Sequence, residues 1–503
     1  MAKTNLIYDV EDKPSWGKTI VFALQQLLAI MAATIAVPLI VGHGMSTSAA
    51  LFGAGVCTIV YLLFTKSKSP VFLGCSFAFL GSMFAAFGGA YANTTLGFLG
   101  LIIGAVFAGL VYVILALVCK KFGTNWISKL MPAVVIGPTV AIIGLSLAGN
   151  AIGNVFGYSD AMGSVLSGGL TKYDVEIADG TMNAHKLACA FVGIVSLLTV
   201  ILTSVYSKQK GFLRLIPFVV GIGVGYLLAL ALTGIGYAAG KDSLKIIDFN
   251  VFVNAGWDKF YGGWCPKFTF VEAFSSFGNG SDFSNFGPYI GTIAVAYVPV
   301  AFVVFAEHIA DHKNLSSIIG RDLLEEPGLH RTLLGDGIGS MAGAFFGGAC
   351  NTTYGESVGC VAISGNASIR TIWVTAIMAI VLSFFLPFAT LLASIPTPVM
   401  GGVCVALYGF IAVSGLKMIQ KVDLNDNKNL FVVSVILIAG VGGLAAKFVL
   451  PNNAGSIELT EVACALILGI VVNLLVNLKK NKEEPAQVEE APAEAQPEEK
   501  VEE

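Results

Sequence analysis

Apolar residues along the chain fall in long runs parted by short polar stretches, and the length of those runs is informative. A helix needs about 20 apolar residues to cross the hydrocarbon core of a bilayer. Runs of that kind lie near 19–41, 48–65, 97–118, 132–149, 187–205 and 212–234. After a long polar stretch come 289–311, 332–348, 371–395, 398–416, 429–449 and 459–478. Each predicts a membrane-spanning helix. Two further segments, 69–88 and 347–369, are apolar but interrupted. The first carries Ser69-Pro70 and Gly74-Cys75-Ser76-Phe77-Ala78-Phe79; the second carries Gly347-Gly348, Asn351-Thr352-Thr353-Tyr354-Gly355-Glu356 and Gly359.

The positive charges decide whether the interrupted segments cross, because cytoplasmic loops collect Lys and Arg. With both segments counted and the N-terminus inside, there are fourteen crossings. The inner loops then hold Lys66 and Lys68; Lys120, Lys121 and Lys129; Lys208, Lys210 and Arg214; and, after the last span, Lys479, Lys480 and Lys482. The outer loops 42–47, 89–96 and 396–397 hold no Lys or Arg, and 150–186 only Lys172 and Lys186. Leaving out either segment would move the next basic cluster outside. The interrupted segments are third and tenth, seven apart, so the chain reads as two seven-segment repeats of opposite orientation. Broken backbone is tolerated in lipid only where protein or a cavity satisfies it. Matched broken spans in inverted halves therefore point to a transporter's binding site.

Composition agrees. The chain of 503 residues is 55% apolar and 12% charged, with a mean hydropathy of +0.80. A soluble domain carries about 25% charged residues, so a soluble enzyme and a disordered chain are both excluded. The 58 glycines fit closely packed membrane helices. Net charge is −3, but residues 483–503 contribute −8, which leaves the preceding body at +5. A tail of Glu, Ala, Pro and Gln cannot bury a core and is expected to be disordered over 481–503. The nine cysteines are scattered, without a CxxC pair, and suggest neither a metal site nor a disulfide framework. No phosphate-binding loop, GxSxG or HExxH occurs, so no enzyme activity or cofactor is expected.

An ionisable side chain at membrane depth is costly and marks a functional site by default. The eighth segment ends in Phe305-Ala306-Glu307-His308-Ile309-Ala310-Asp311-His312-Lys313. Glu307 and Asp311 are four apart, as are His308 and His312, so each pair shares a helical face. The tenth segment carries Tyr354-Gly355-Glu356. Glu307 and Glu356 are thus candidates for taking up a proton, with a neighbouring histidine to share it. Asp311 and His312 also read as solvated residues at the cytoplasmic end of the helix. Gln25 and Gln26, polar in mid-span, read equally as packing groups or ligand contacts. Free N–H groups at half-helix ends in the broken segments suit a ligand's carbonyls.

These stretches carry a family resemblance. Ala306-Glu307-His308, Asp322-Leu323-Leu324 with Pro327-Gly328-Leu329-His330-Arg331, and Asn351-Thr352-Thr353-Tyr354-Gly355-Glu356 are its most specific pieces. Leu24-Gln25, Ala32-Ala33-Thr34, Val37-Pro38 and Leu73-Gly74 with Ser76-Phe77-Ala78-Phe79 support them. Over nearly all of residues 15–480 the chain resembles the nucleobase–cation symporters, also called nucleobase–ascorbate transporters, and within them the bacterial uracil permeases.

The resemblance implies an all-α polytopic membrane fold of 14 transmembrane segments in two inverted seven-segment repeats, with short strands in segments 3 and 10. It implies a core domain from residues 1–125 (segments 1–4) and 289–396 (segments 8–11). A gate domain would come from 126–288 (segments 5–7) and 397–480 (segments 12–14), ahead of the 481–503 tail. The implied activity is proton-coupled import of uracil by alternating access across a bacterial cytoplasmic membrane, with both termini cytoplasmic. Glu307 and Glu356 would bind the base through their side chains, and Phe77 and Gly355 through backbone N–H groups. Tyr354 and Phe77 would pack against the ring, supported by Ser76, His308, Gln25 and Asp311. His312 matches the histidine that relatives place beside the segment-8 glutamate and, with Glu307 and Glu356, would couple the proton. The implied partners are a nucleobase, a proton and the lipid bilayer, with room for a homodimer, and no cofactor, metal or nucleic acid.

The chemistry of the base is consistent with this. Uracil offers ring N–H donors and carbonyl acceptors, which suit carboxylates and backbone N–H groups, and a site built on such bonds rejects analogues that lack them. The chain departs from the family pattern at Ser357, where Asn is usual, at Ser364-Gly365 in place of Thr-Arg, at Gln26 in place of His, and at Asp311. A purine carrier, for xanthine, and an anion transporter are the other readings. Glu rather than Gln or Asn at position 356 favours uracil, and the acidic residues argue against an anion.

Overall fold

The computed structural model describes residues 6–88, 94–123, 132–157, 184–207, 213, 216–278, 286–420, 422–449, 456–459 and 461–478. The acidic tail expected at 481–503 lies outside these residues, as do Lys129, Lys172, Lys208, Lys210, Arg214, Lys421, Lys479, Lys480 and Lys482.

The first run forms α1 (Trp16–Val41), and Ser46 then caps α2 (Thr47–Phe64) by accepting the Ala49 N–H at 3.2 Å. The first interrupted segment becomes strand β1 (Leu73–Cys75), a single 3-10 turn at Phe77–Phe79, and the short helix α3 (Leu80–Gly88). Then follow α4 (Thr94–Phe122), the broken pair α5 (Ala133–Ser146) and α6 (Ala148–Val155), α7 (Ala184–Tyr206) and α8 (Pro217–Ala239). After α10 (Thr269–Gly278), which follows the four-residue α9 (Asn250–Val253), the second half opens with α11 (Phe286–Ile319) and α12 (Leu329–Gly347). The second interrupted segment is strand β2 (Asn351–Thr353) followed by α13 (Gly355–Ser364). The chain closes with α14 (Ile369–Ser383), α15 (Leu386–Ala393), α16 (Thr397–Ile419), α17 (Asn427–Val441), the β3–β4 hairpin (Ala446–Val449, Ser456–Leu459) and α18 (Glu461–Val476).

Among the described residues, eight helices are long and apolar enough to span a membrane, or nine if the bent pair α14–α15 counts as one span; α17 and α18 are shorter apolar helices. The run at 371–395 was expected to be one straight span, but it bends by 81° between Ser383 and Leu386. Pro387 stands in the first turn of α15, where its missing N–H costs nothing, and it forbids continuation of the preceding helix.

Each broken segment does carry a strand, and the two strands pair with each other. They run antiparallel, with Leu73 opposite Thr353, Gly74 opposite Thr352 and Cys75 opposite Asn351. Ser76 N–H extends the pairing to the Cys350 carbonyl at 2.8 Å. A lone two-stranded ribbon is weak, so its surroundings must hold it. The α2 and α12 backbones touch beside it: a Cβ on Gly53 would meet the Gly343 carbonyl, and one on Gly343 would lie 2.9 Å from the Gly53 carbonyl. Glycine at both places lets two helices approach without side chains between them.

Candidate functional site

The ribbon ends place four sequence-predicted residues together. Glu356 stands in the first turn of α13, directly after β2, and Glu307 and Asp311 lie on the passing α11. Their charges act on one another, Glu307 with Glu356 and Asp311 with both. Asp311 Oδ2 accepts the Thr353 hydroxyl at 2.8 Å, which fastens α11 to the end of β2. Its other oxygen lies 3.8 Å from where a Cβ on Gly355 would be. Gly355 is exposed, although the strand before it is buried, and Glu307 and Glu356 are half-buried. The carboxylates therefore border an opening and not the packed core.

Tyr354, directly before Gly355, and Phe77, two residues after β1, are both buried. The Tyr354 hydroxyl donates to the Cys75 carbonyl at 2.6 Å, so its ring lies across β1, over Gly74. Phe77 meets the Tyr408 ring of α16 edge-on at 6.0 Å. Tyr408 is buried, and nothing in the apolar run 398–416 singles it out. Ser76 is buried between β1 and the 3-10 turn. Of the two glutamines, Gln25 is half-buried on α1, while Gln26 is buried and reaches the broken segments. The Gln26 amide donates to the Ser357 hydroxyl, and Phe72 N–H donates to that same oxygen at 2.9 Å. One hydroxyl thus ties α1, the residue before β1 and the turn that carries Glu356. A serine inside an apolar half-helix was the available signal for it.

Both histidines are buried, and they lie around α11 from the face that carries Glu307 and Asp311. The His312 Nδ1–H donates to the His308 carbonyl at 2.8 Å, its Nε2 lies 2.6 Å from the Tyr61 hydroxyl of α2, and that hydroxyl also bonds Ser69 at 2.8 Å. The reason is helical geometry. At about 100° per residue, Asp311 lies about 40° around the helix from Glu307, and His312 about 140°. His308 is also buried on the far side, with Nδ1 2.6 Å from Asp336 Oδ2 of α12 and Nε2 3.0 Å from the Thr332 hydroxyl. Asp336, a carboxylate inside the run 332–348, was overlooked; its charge at membrane depth was the signal. Among the described residues, no group of three or more His, Cys, Asp or Glu is arranged to hold a metal ion.

A family model described as the permease family matches residues 17–448. The chain belongs to that family. It is a multi-pass membrane transporter, not an enzyme. This permease is 36% identical over 473 residues to the uracil permease of Bacillus caldolyticus, which covers 93% of this chain and 94% of that protein. The uracil permease of Bacillus subtilis (strain 168) is 35% identical over 495 residues, 97% of this chain and 99% of its own length. That of Escherichia coli (strain K12) is 34% identical over 471 residues, covering 93% and 94%. Among solved structures, the transmembrane domain of a cyanobacterium bicarbonate transporter, BicA, superposes with a TM-score of 0.58 at 15% identity, over 94% of this chain and 100% of that one. The murine anion transporter Slc26a9 in its inward-facing state gives 0.60 at 14%, over 93% and 69%. At that identity, the likeness is one of fold.

Proposed function

We propose that this permease imports uracil together with a proton across a bacterial cytoplasmic membrane by alternating access. The observation that carries the proposal is the meeting of half-buried Glu307 and Glu356 at the paired strands, which Tyr354 bonds together through the Cys75 carbonyl; Tyr354 and Phe77 pack against the ring of the base. The curated relatives named uracil permease support the choice of base. Glu356 and Glu307 accept the ring N–H groups. The first N–H groups of α13 and of the turn at Phe77, which have no intrahelical acceptor, donate to the carbonyls. An anion carrier shares the fold, but three carboxylates at the opening would repel its substrate.

In this reading, residues 1–125 and 289–396 form a core that holds both strands, and 126–288 and 397–480 form a gate that contributes Tyr408. The two rock against each other around the site, in a protein whose termini are cytoplasmic. Glu307 and Glu356 take part in proton coupling. His312, hydrogen-bonded at both nitrogens on the other face of α11, shares in that coupling.

The test is uptake of labelled uracil into proteoliposomes under an imposed inward proton gradient, with unlabelled uracil and xanthine as competitors. Accumulation that collapses with the gradient and is blocked by uracil but not by xanthine supports the proposal. Uptake indifferent to the gradient removes the coupling, and blockage by xanthine alone assigns the site to purines.

A further inference from the structure

The dyad His308–Asp336 lies buried on the far side of α11 from the opening, and its two members meet in a contact that needs a hydrogen between them. Both residues are buried, at 0% and 1% exposure. The Thr332 hydroxyl donates its only hydrogen to the Leu329 carbonyl at 3.0 Å, a bond typical of a helical threonine. With that hydrogen so placed, the hydroxyl accepts from His308 Nε2–H; turned toward His308, it donates to a bare Nε2. The remaining nitrogen, Nδ1, stands 2.6 Å from Asp336 Oδ2. A bare imidazole lone pair facing a bare carboxylate would be repulsive, so that contact requires a hydrogen between them.

Solvation favours the state in which the dyad also holds a proton. A buried carboxylate without a cation is very costly. The groups around the dyad supply none: Glu307, Asp311 and His312 on α11, Tyr61 and Cys57 on α2, Tyr112 on α4, Cys350 before β2, and Glu356 on α13. Among the described residues, no Lys or Arg pairs with either member of the dyad.

We infer that His308 and Asp336 form a proton-binding site that takes up and releases the proton coupled to transport. Bound, the proton lies between Nδ1 and Oδ2 and the pair is neutral. Released to the medium on the side where the site opens, it leaves a neutral histidine and a carboxylate. The connection to the substrate runs through β2: the Asp336 carboxylate interacts with the Thr353 N–H, while the Thr353 hydroxyl holds Asp311 at the opening. Gaining or losing the proton therefore acts on the strand that positions Gly355 and Glu356. This inference rests on the proton-coupled reading above.

The test uses full-length protein in proteoliposomes. Asp336→Asn keeps the shape but leaves no proton to exchange, because the amide can donate to Nδ1. An inward gradient of one pH unit supports up to about tenfold accumulation for each coupled proton. Wild type should accumulate uracil under that gradient. Asp336→Asn should exchange internal for external uracil within about threefold of the wild-type rate, yet accumulate none, and a pH indicator should show no proton entering with it. His308→Gln, which leaves Asp336 without a base, should behave alike. Gradient-driven accumulation by Asp336→Asn at the wild-type level overturns the dyad alone. Loss of uracil exchange in both variants also overturns it, by making the pair structural. A wild type that ignores the gradient overturns the coupling reading itself.

Discussion

Replacing Gly74 by alanine tests how the ribbon shapes the site. A methyl at this position in β1 would overlap the Tyr354 ring and lie 2.9 Å from its hydroxyl oxygen. The ring cannot step aside cheaply. Tyr354 is buried, and its hydroxyl is fixed to the Cys75 carbonyl at 2.6 Å. Forcing a carbon into a packed site costs about 1–3 kcal/mol, and displacing the hydrogen bond adds about 1 kcal/mol. Gly74→Ala should therefore lose roughly 2–4 kcal/mol, by the same estimates. Tyr354 directly precedes Gly355 and Glu356, so even a third of that loss felt at the opening weakens uracil binding about tenfold, since about 1.4 kcal/mol is a factor of ten. Thermal unfolding in detergent and equilibrium binding of labelled uracil would read both effects. Gly81→Ala is the control: it is a helical glycine with no atom within 4 Å of the added carbon, and it should gain about 0.5–1 kcal/mol. Wild-type stability and affinity in Gly74→Ala would refute the placement of Tyr354 over β1.

Two smaller predictions concern what holds the broken segments. Ser357→Ala leaves the Phe72 N–H and the Gln26 amide without their acceptor, and each buried orphan costs about 1–3 kcal/mol. A clear drop in unfolding temperature is expected, and no drop would show that this hydroxyl does not tie the segments. On the surface, Arg321 pairs with Asp9 at 3.2 Å and Glu11 at 3.0 Å, all partly exposed. Arg321→Ala should cost at most about 1 kcal/mol. High salt should remove most of the difference from wild type, and a larger, salt-independent loss would mean the N-terminal segment is held there by more than charge.

The sequence was most legible where a physical constraint leaves few choices. Lipid tolerates no unsatisfied backbone, so the breaks in 69–88 and 347–369 marked both interrupted segments, whose strands the family resemblance implied, and membrane depth made Glu307 and Glu356 conspicuous. What it did not show was which residues face each other. Antiparallel pairing of β1 with β2 depends on two segments nearly 280 residues apart meeting in space. The bend before α15 hid in an unbroken apolar run, because only the position of Pro387 distinguishes it from a straight span. The histidines were legible as a pair beside the Glu307–Asp311 face, but their partners, Asp336 for His308 and Tyr61 for His312, were not. At about 100° per residue, Asp311 falls near Glu307 and His312 well around the helix from it. Tyr408 carries no signal of its own, because a tyrosine in an apolar span more often packs than binds.

The central claim is that a nucleobase sits against Glu307 and Glu356 at the paired strands, and equilibrium binding of labelled uracil to purified wild type and Glu356→Gln tests it most directly. A hydrogen bond to a charged group is worth about 1.5–3 kcal/mol, so the amide should weaken uracil binding roughly ten- to hundredfold while leaving the unfolding temperature near that of wild type. Unchanged affinity in a folded Glu356→Gln protein would place the base elsewhere.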